Sequence, residues 1–228
     1  MSPSPFTRRC VAELVGTAFL VGSVIGSGIM ATALSRDVGV QLLANSLATG
    51  AALVALILTL QPVSAAFNPV VTLAEAALGG LPWREAGLLG VAQVVGGSLG
   101  AVVANLMFGL DAVALSSHSR SGGGVWLGEV VATFGLVLVV FGGIRSGRTD
   151  TLAFAVSGYI VAAYWFTSST SFANPAVTVA RMFSDTFSGI APGSVPGFVL
   201  MQLLGGALGL AVVRVLWPRL SPLTPQES

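Results

Sequence analysis

Charges, prolines and Gly/Ser clusters cut six long apolar segments out of this chain, at 11–31, 39–60, 84–108, 126–144, 151–167 and 196–217. A helix needs about 20 apolar residues to cross the hydrocarbon of a bilayer, so each segment reads as one transmembrane span. Composition supports this: 54% of the 228 residues are hydrophobic and only 8% are charged, where a soluble domain carries about 25% charged residues. Ten basic and nine acidic side chains cannot cover a globule of this size in water. The lipid bilayer is the expected surroundings. Glu13 interrupts the first segment and five similar ones follow, which argues against a cleaved signal peptide.

Composition also excludes whole classes of function. All ten basic residues are Arg, scattered singly or in pairs, so no patch for nucleic acid exists. Cys10 is the only cysteine and His118 the only histidine, which leaves no internal disulfide, no metal cage and no histidine-based metal site. No nucleophile, base and orienting group recur near one another, so neither an enzyme nor a cofactor is expected.

Two further apolar stretches, about 68–79 and 174–184, are too short to span, and each opens on Asn-Pro: Asn68-Pro69-Val70 and Asn174-Pro175-Ala176. Asn as N-cap and Pro at the first position start a helix of about three turns. Broken helices at membrane depth are tolerated only where protein buries them or a water-filled cavity borders them.

The two halves of the chain match each other. Glu13-Leu-Val-Gly-Thr17 parallels Glu129-Val-Val-Ala-Thr133, at an offset of 116 residues. The Asn-Pro boxes with Thr72 and Thr178 match at an offset of 106, and Gln93-Val-Val-Gly96 matches Gln202-Leu-Leu-Gly205 at an offset of 109. A single membrane domain, 1–228, therefore divides into repeats at 11–108 and 126–217. Three spans per repeat is an odd number, so the second copy is inverted about an axis in the membrane plane. The two Asn-Pro helices then enter from opposite sides and bring their N-termini together near the midplane.

Facing N-termini place about half a positive charge each at one level. The Asn68 and Asn174 amides add donors there. Protons and metal cations are repelled, while small neutral solutes find replacements for their hydration. Glu13 and Glu129, one per repeat, are expected to accept from the buried backbone that leads into each box; proton coupling is the alternative reading. Gly96, Gly100, Gly205 and Gly209 permit close helix contact. The expected cytoplasmic side of both termini carries Arg8, Arg9, Arg84, Arg145, Arg148, Arg214 and Arg219, against Arg36 and Arg120 outside and Arg181 on the second short helix.

These residues resemble the aquaporin, or major intrinsic protein, family over about 11–217. The match includes Ala12-Glu13-Leu-Val-Gly16-Thr17, Ala92-Gln93-Val-Val-Gly96, Glu129 with Thr133-Phe134, and both boxes. The resemblance implies an all-α membrane fold of six transmembrane helices plus two half-helices. It also implies a homotetramer, in the cell membrane, with a pore for water or small neutral solutes in each subunit. The departures bear on selectivity. Val70 replaces the usual Ala, the segment Ser64-Ala65-Ala66-Phe67 lacks the usual His, and Val177 stands where the family has Arg. Spacing from the boxes places the other filter positions at Thr49 (Ala48 being the alternative), Ala162 and Ser171. This set predicts a wide filter with no fixed charge, Arg181 being the nearest cation. It resembles the microbial branch implicated in arsenic resistance, which implies passage of arsenite or methylated arsenicals beside glycerol and water. The competing readings are a secondary transporter coupled to protons through Glu13 or Glu129, and a scaffold whose pore is closed.

Overall fold

A computed structural model describes residues 4–218; Arg219, counted above on the cytoplasmic side, lies outside the described residues. These residues form eight α-helices: α1 Pro5–Leu34, α2 Val38–Leu60, α3 Pro69–Ala77, α4 Trp83–Met107, α5 Gly123–Arg145, α6 Leu152–Phe166, α7 Pro175–Arg181 and α8 Val195–Leu216. Five of them are long and apolar enough to cross a membrane. The fold is all-α, with α3 and α7 as the two half-helices.

The span expected over 151–167 is shorter than the others. Helix α6 has 15 residues, about 22 Å at 1.5 Å per residue, against about 30 Å of hydrocarbon. It stops where the Thr167 hydroxyl donates to the Ala163 carbonyl at 2.7 Å. The chain then continues as an irregular, mostly buried segment that leads into the second box. Irregular backbone is viable at that depth because protein encloses it.

Local chemistry sets the helix starts. Asp37 caps α2 by accepting from the Val40 N–H at 3.0 Å. Asn68 and Asn174 cap α3 and α7, accepting from Val70 N at 3.0 Å and from Ala176 N at 3.0 Å, with proline as the next residue in both.

Helix α1 packs along α4, and α5 along α8. In both pairs the contact is backbone against backbone. A Cβ at Gly96 or Gly100 would overlap the carbonyls of Leu14 or Ala18, and one at Gly205 would overlap that of Val130. At Gly209 it would lie 2.7 Å from the Phe134 carbonyl oxygen. With lipid outside, close approach of this kind replaces the hydrophobic drive to associate. On α4 the side chains of Leu88, Val91, Val95, Leu99 and Val103 remain exposed, an apolar stripe suited to lipid or to a second copy. At one end of the bundle Arg9 lies 3.5 Å from Glu75 and 4.0 Å from Glu85, and Arg214 donates to the Ala77 carbonyl at 2.7 Å. The N-terminus of α1, the ends of α3 and α8, and the start of α4 therefore share one face.

Candidate functional site

Helices α3 and α7 meet N-terminus to N-terminus, and the two boxes brace each other. The Asn68 side-chain N–H donates to the Ala173 carbonyl at 2.7 Å, and that of Asn174 donates to the Phe67 carbonyl at 2.7 Å. The accepting residues both have φ of 47°, the left-handed region where a side chain costs about 1–3 kcal/mol. That strain persists because both ends of each peptide are held. The N–H of Phe67 donates to Glu13 Oε2 at 2.7 Å, and the N–H of Ala173 donates to Glu129 Oε2 at 2.9 Å. Each glutamate thus acts through one strained residue on the asparagine of the opposite box.

The rest of the network is likewise doubled. Glu13 also accepts from Ser64 Oγ, Ala66 N at 2.9 Å and Gln93 Nε2 at 2.8 Å. Glu129 accepts from Phe172 N at 2.9 Å and Gln202 Nε2 at 2.6 Å. Gln93 donates onward to Thr72 and Gln202 to Thr178, and the hydroxyls of these threonines donate to the carbonyls of Asn68 and Asn174 respectively. Both glutamates are fully buried and neither borders the central cavity. Backbone N–H groups that would otherwise be unpaired in a dry interior take their oxygens, so the geometry is that of a support.

The cavity between the halves is narrow, about 90 Å³, is bordered by both asparagines and reaches Leu152, Ala65 and Ala66 at one end and Arg181 at the other. Its long walls are apolar: Leu20 and Val24 from α1, Leu136 and Val140 from α5, Leu53 and Ile57 from α2. The α1 and α5 residues pair at the same offset of 116 that relates Glu13 to Glu129. Polar groups are confined to the boxes and to the end holding Thr49, Tyr164, Ser171 and Arg181. A solute inside meets few hydrogen-bonding stations separated by apolar wall.

Of the four expected filter positions, Thr49, Ser171 and Val177 border the cavity and are buried. Ala48 does not border it. The Ser171 hydroxyl has no protein partner among the described residues. Ala162 is corrected by the structure. It is exposed on the outer side of α6, while Leu152, Val156, Ile160 and Tyr164 face the cavity. Those four recur at the helical spacing of four, and a residue two positions from Ile160 and from Tyr164 points the opposite way. Tyr164, two residues on, borders the cavity instead, its hydroxyl 3.3 Å from Thr49 Oγ1.

The expected absence of fixed charge is corrected too. Arg181 borders the cavity with 3% of its surface exposed. Its Nε donates to the Ser188 carbonyl, and its guanidinium carbon lies 3.5 Å from the Phe172 ring centre. Sequence reasoning also missed the segment between α4 and α5, which runs over this end. Ala114 N and Ser116 N donate to the carbonyls of Phe183 and Met182 at 3.1 Å and 2.9 Å. Asp185 accepts from Ser117 N at 2.9 Å and Ser117 Oγ at 3.0 Å, and these bonds hold its carboxyl below its ordinary range. Nothing in the spacing of these loop residues signals such contacts.

Comparison with known proteins agrees with this architecture. The profile of the major intrinsic protein family matches residues 1–167. Aquaglyceroporin AqpS of Rhizobium meliloti (strain 1021) is 49% identical over 100% of this chain and 98% of its own length. Aquaporin NIP1-2 of Arabidopsis thaliana is 32% identical over 63% of this chain and 52% of its own. The X-ray structure of the aquaglyceroporin from Plasmodium falciparum superposes with a TM-score of 0.66, covering 94% of this chain and 96% of that one at 18% identity, a likeness of fold. With that fold, a profile match over most of its length and a close relative along all of it, the chain belongs to the major intrinsic protein family and is a membrane channel, not an enzyme.

Proposed function

We propose that the chain is a passive pore for small uncharged solutes, passing water and glycerol, with arsenite or methylated arsenicals as further candidates. The observation that carries this reading is the cavity itself. It joins the two braced Asn-Pro boxes to an outer mouth walled by Thr49, Ser171 and Val177, where the family's usual Arg beside the second box is absent. A small Val at that position leaves room for a polyol. Arsenite, As(OH)3 at neutral pH, resembles glycerol in size and in hydrogen-bonding groups. AqpS, the relative 49% identical to this chain, is named an aquaglyceroporin, which favours polyols over water alone.

Facing half-helix N-termini supply the barrier to protons and cations. Glu13 and Glu129 serve that arrangement as structural acids, because their oxygens are taken by loop N–H groups away from the cavity. The repeats 11–108 and 126–217 are related by inversion, a reading supported by the doubling of every bond in the glutamate–glutamine–threonine network. The chain functions as a homotetramer in the cell membrane with both termini in the cytoplasm. The excess of Arg on the face shared by Arg9 and Arg214 supports that orientation.

Stopped-flow light scattering of proteoliposomes tests the proposal with water, glycerol and arsenite gradients. Each flux should exceed that of empty liposomes, follow the solute gradient and ignore an imposed pH gradient. Proton-driven uphill movement would overturn the passive reading. Native mass spectrometry in detergent counts the subunits.

A further inference from the structure

Arg181 lies one helical turn after Val177. Helical side chains lean toward the N-terminus of their helix and cover the preceding turn. A guanidinium rooted at 181 therefore reaches the wall that Val177 leaves thin. It arrives with its Nε bonded to the Ser188 carbonyl and its face on Phe172. Among the described residues it forms no ion pair, the recorded pairs both belonging to Arg9. Its other N–H donors have no protein acceptor there, and the side chain borders the cavity beside the hydroxyls of Ser171, Tyr164 and Thr49.

Arg120, in the segment between α4 and α5, grips the same assembly from outside the cavity. Its Nε donates to the Gly189 carbonyl at 2.9 Å and its Nη2 donates to the Phe187 carbonyl at 3.4 Å. Those residues flank Ser188, the one that holds Arg181. The Arg120 guanidinium also lies 5.1 Å from the centre of the Phe172 ring, and its backbone N–H donates to Ser194 Oγ at 3.0 Å. The planar fork of an arginine spans two carbonyls at once, which a lysine ammonium does not reproduce.

We propose that Arg181 is the specificity-determining residue of the outer mouth, and that Arg120 positions it through the 187–189 turn and the Phe172 ring. The inference rests on the reading of the chain as a solute pore. Arg181 supplies donors to the oxygens of a neutral polyol and sets the width that the polyol must clear. Because it reaches in from a turn away, the mouth keeps a fixed positive charge and still admits a solute larger than water.

The test measures water, glycerol and erythritol permeability of proteoliposomes containing the wild type, Arg181→Ala, Arg120→Gln, the double variant and Arg36→Gln. The readout is the ratio of erythritol to glycerol permeability, which a general loss of folded protein does not move. Arg181→Ala should raise it several-fold and Arg120→Gln by less. Arg120→Gln should add nothing once Arg181 is gone, and Arg36→Gln, exposed and away from the mouth, should match the wild type. A ratio unmoved in Arg181→Ala and Arg120→Gln, or effects of the two that simply add, would overturn the assignment. If Arg181→Ala does not assemble, the Arg120→Gln ratio decides. Wild-type liposomes that pass neither water nor glycerol would instead sink the pore reading itself.

Discussion

Replacing Glu13 with Leu removes the acceptor for two backbone N–H groups, those of Ala66 and Phe67, and for the Ser64 hydroxyl and the Gln93 amide. All of this happens at a site with no exposed surface. A buried donor left without a partner costs about 1–3 kcal/mol. The two backbone groups alone therefore give roughly 2–6 kcal/mol, against a total stability of about 5–15 kcal/mol for a typical protein. Phe67 is held at a φ of 47°, so its release relieves about 1–3 kcal/mol of strain and offsets part of that loss, while the stranded Ser64 and Gln93 donors add to it. The Phe67 carbonyl then leaves Asn174, which donates to it at 2.7 Å. Glu13→Leu should thus lower the thermal midpoint in detergent sharply and disturb the opposite box as well as its own. Glu13→Gln should fall between, because one amide oxygen can still accept while its N–H₂ faces another donor. The assay pairs thermal unfolding with glycerol flux of the fraction that stays folded. A Glu13→Leu protein as stable and as conductive as the wild type would refute the reasoning, since the 64–67 segment would then need no carboxyl to hold it.

Asn174→Asp keeps the N-cap acceptor but loses the donor to the Phe67 carbonyl, whereas Asn174→Leu loses both and forfeits a further cap worth about 0.5–2 kcal/mol. Glycerol flux should fall in both and thermal stability more in the Leu variant; equal stability of the two would mean that the cap does not matter here. Val177→Arg places a second guanidinium a turn from Arg181, so glycerol permeability should fall much more than water permeability, and an unchanged ratio would remove Val177 from the narrow part of the pore. Gly100→Val puts side-chain atoms into the Ala18 carbonyl. Overpacking of that kind costs about 1–3 kcal/mol, which should appear as a lower thermal midpoint, and a fully stable Gly100→Val protein would show that α1 and α4 can separate without penalty.

Much of this molecule was legible in one dimension. Apolar run lengths located the spans, and α2, α4 and α8 agree with the sequence segments to within a residue or two. Asn68-Pro69 and Asn174-Pro175 marked the half-helix starts, because a cap and a proline act on their own few residues whatever surrounds them. The offset that relates Glu13 to Glu129 also relates Leu20 to Leu136 and Val24 to Val140, so the repeat held the α1 and α5 walls of the cavity as well.

Three features were not legible: Tyr164 in place of Ala162, the reach of Arg181, and the loop that carries Arg120. The first has a cause specific to membranes. In water an apolar stripe marks the inward face of a helix, but with lipid outside, α6 is apolar all round and hydropathy does not say which residues border the lumen. Counting back from Asn174 fails as well, because the irregular segment after Thr167 has no fixed rise per residue. Arg181 and Arg120 depend on contacts between segments distant in the chain, Arg120 with Phe187 and Gly189, and both arginines with Phe172. Covalent order specified the spans, the boxes and the acids that brace them. The width and charge of the mouth came from where a long, flexible guanidinium finds its acceptor, and that acceptor exists only once the chain has folded back over the pore.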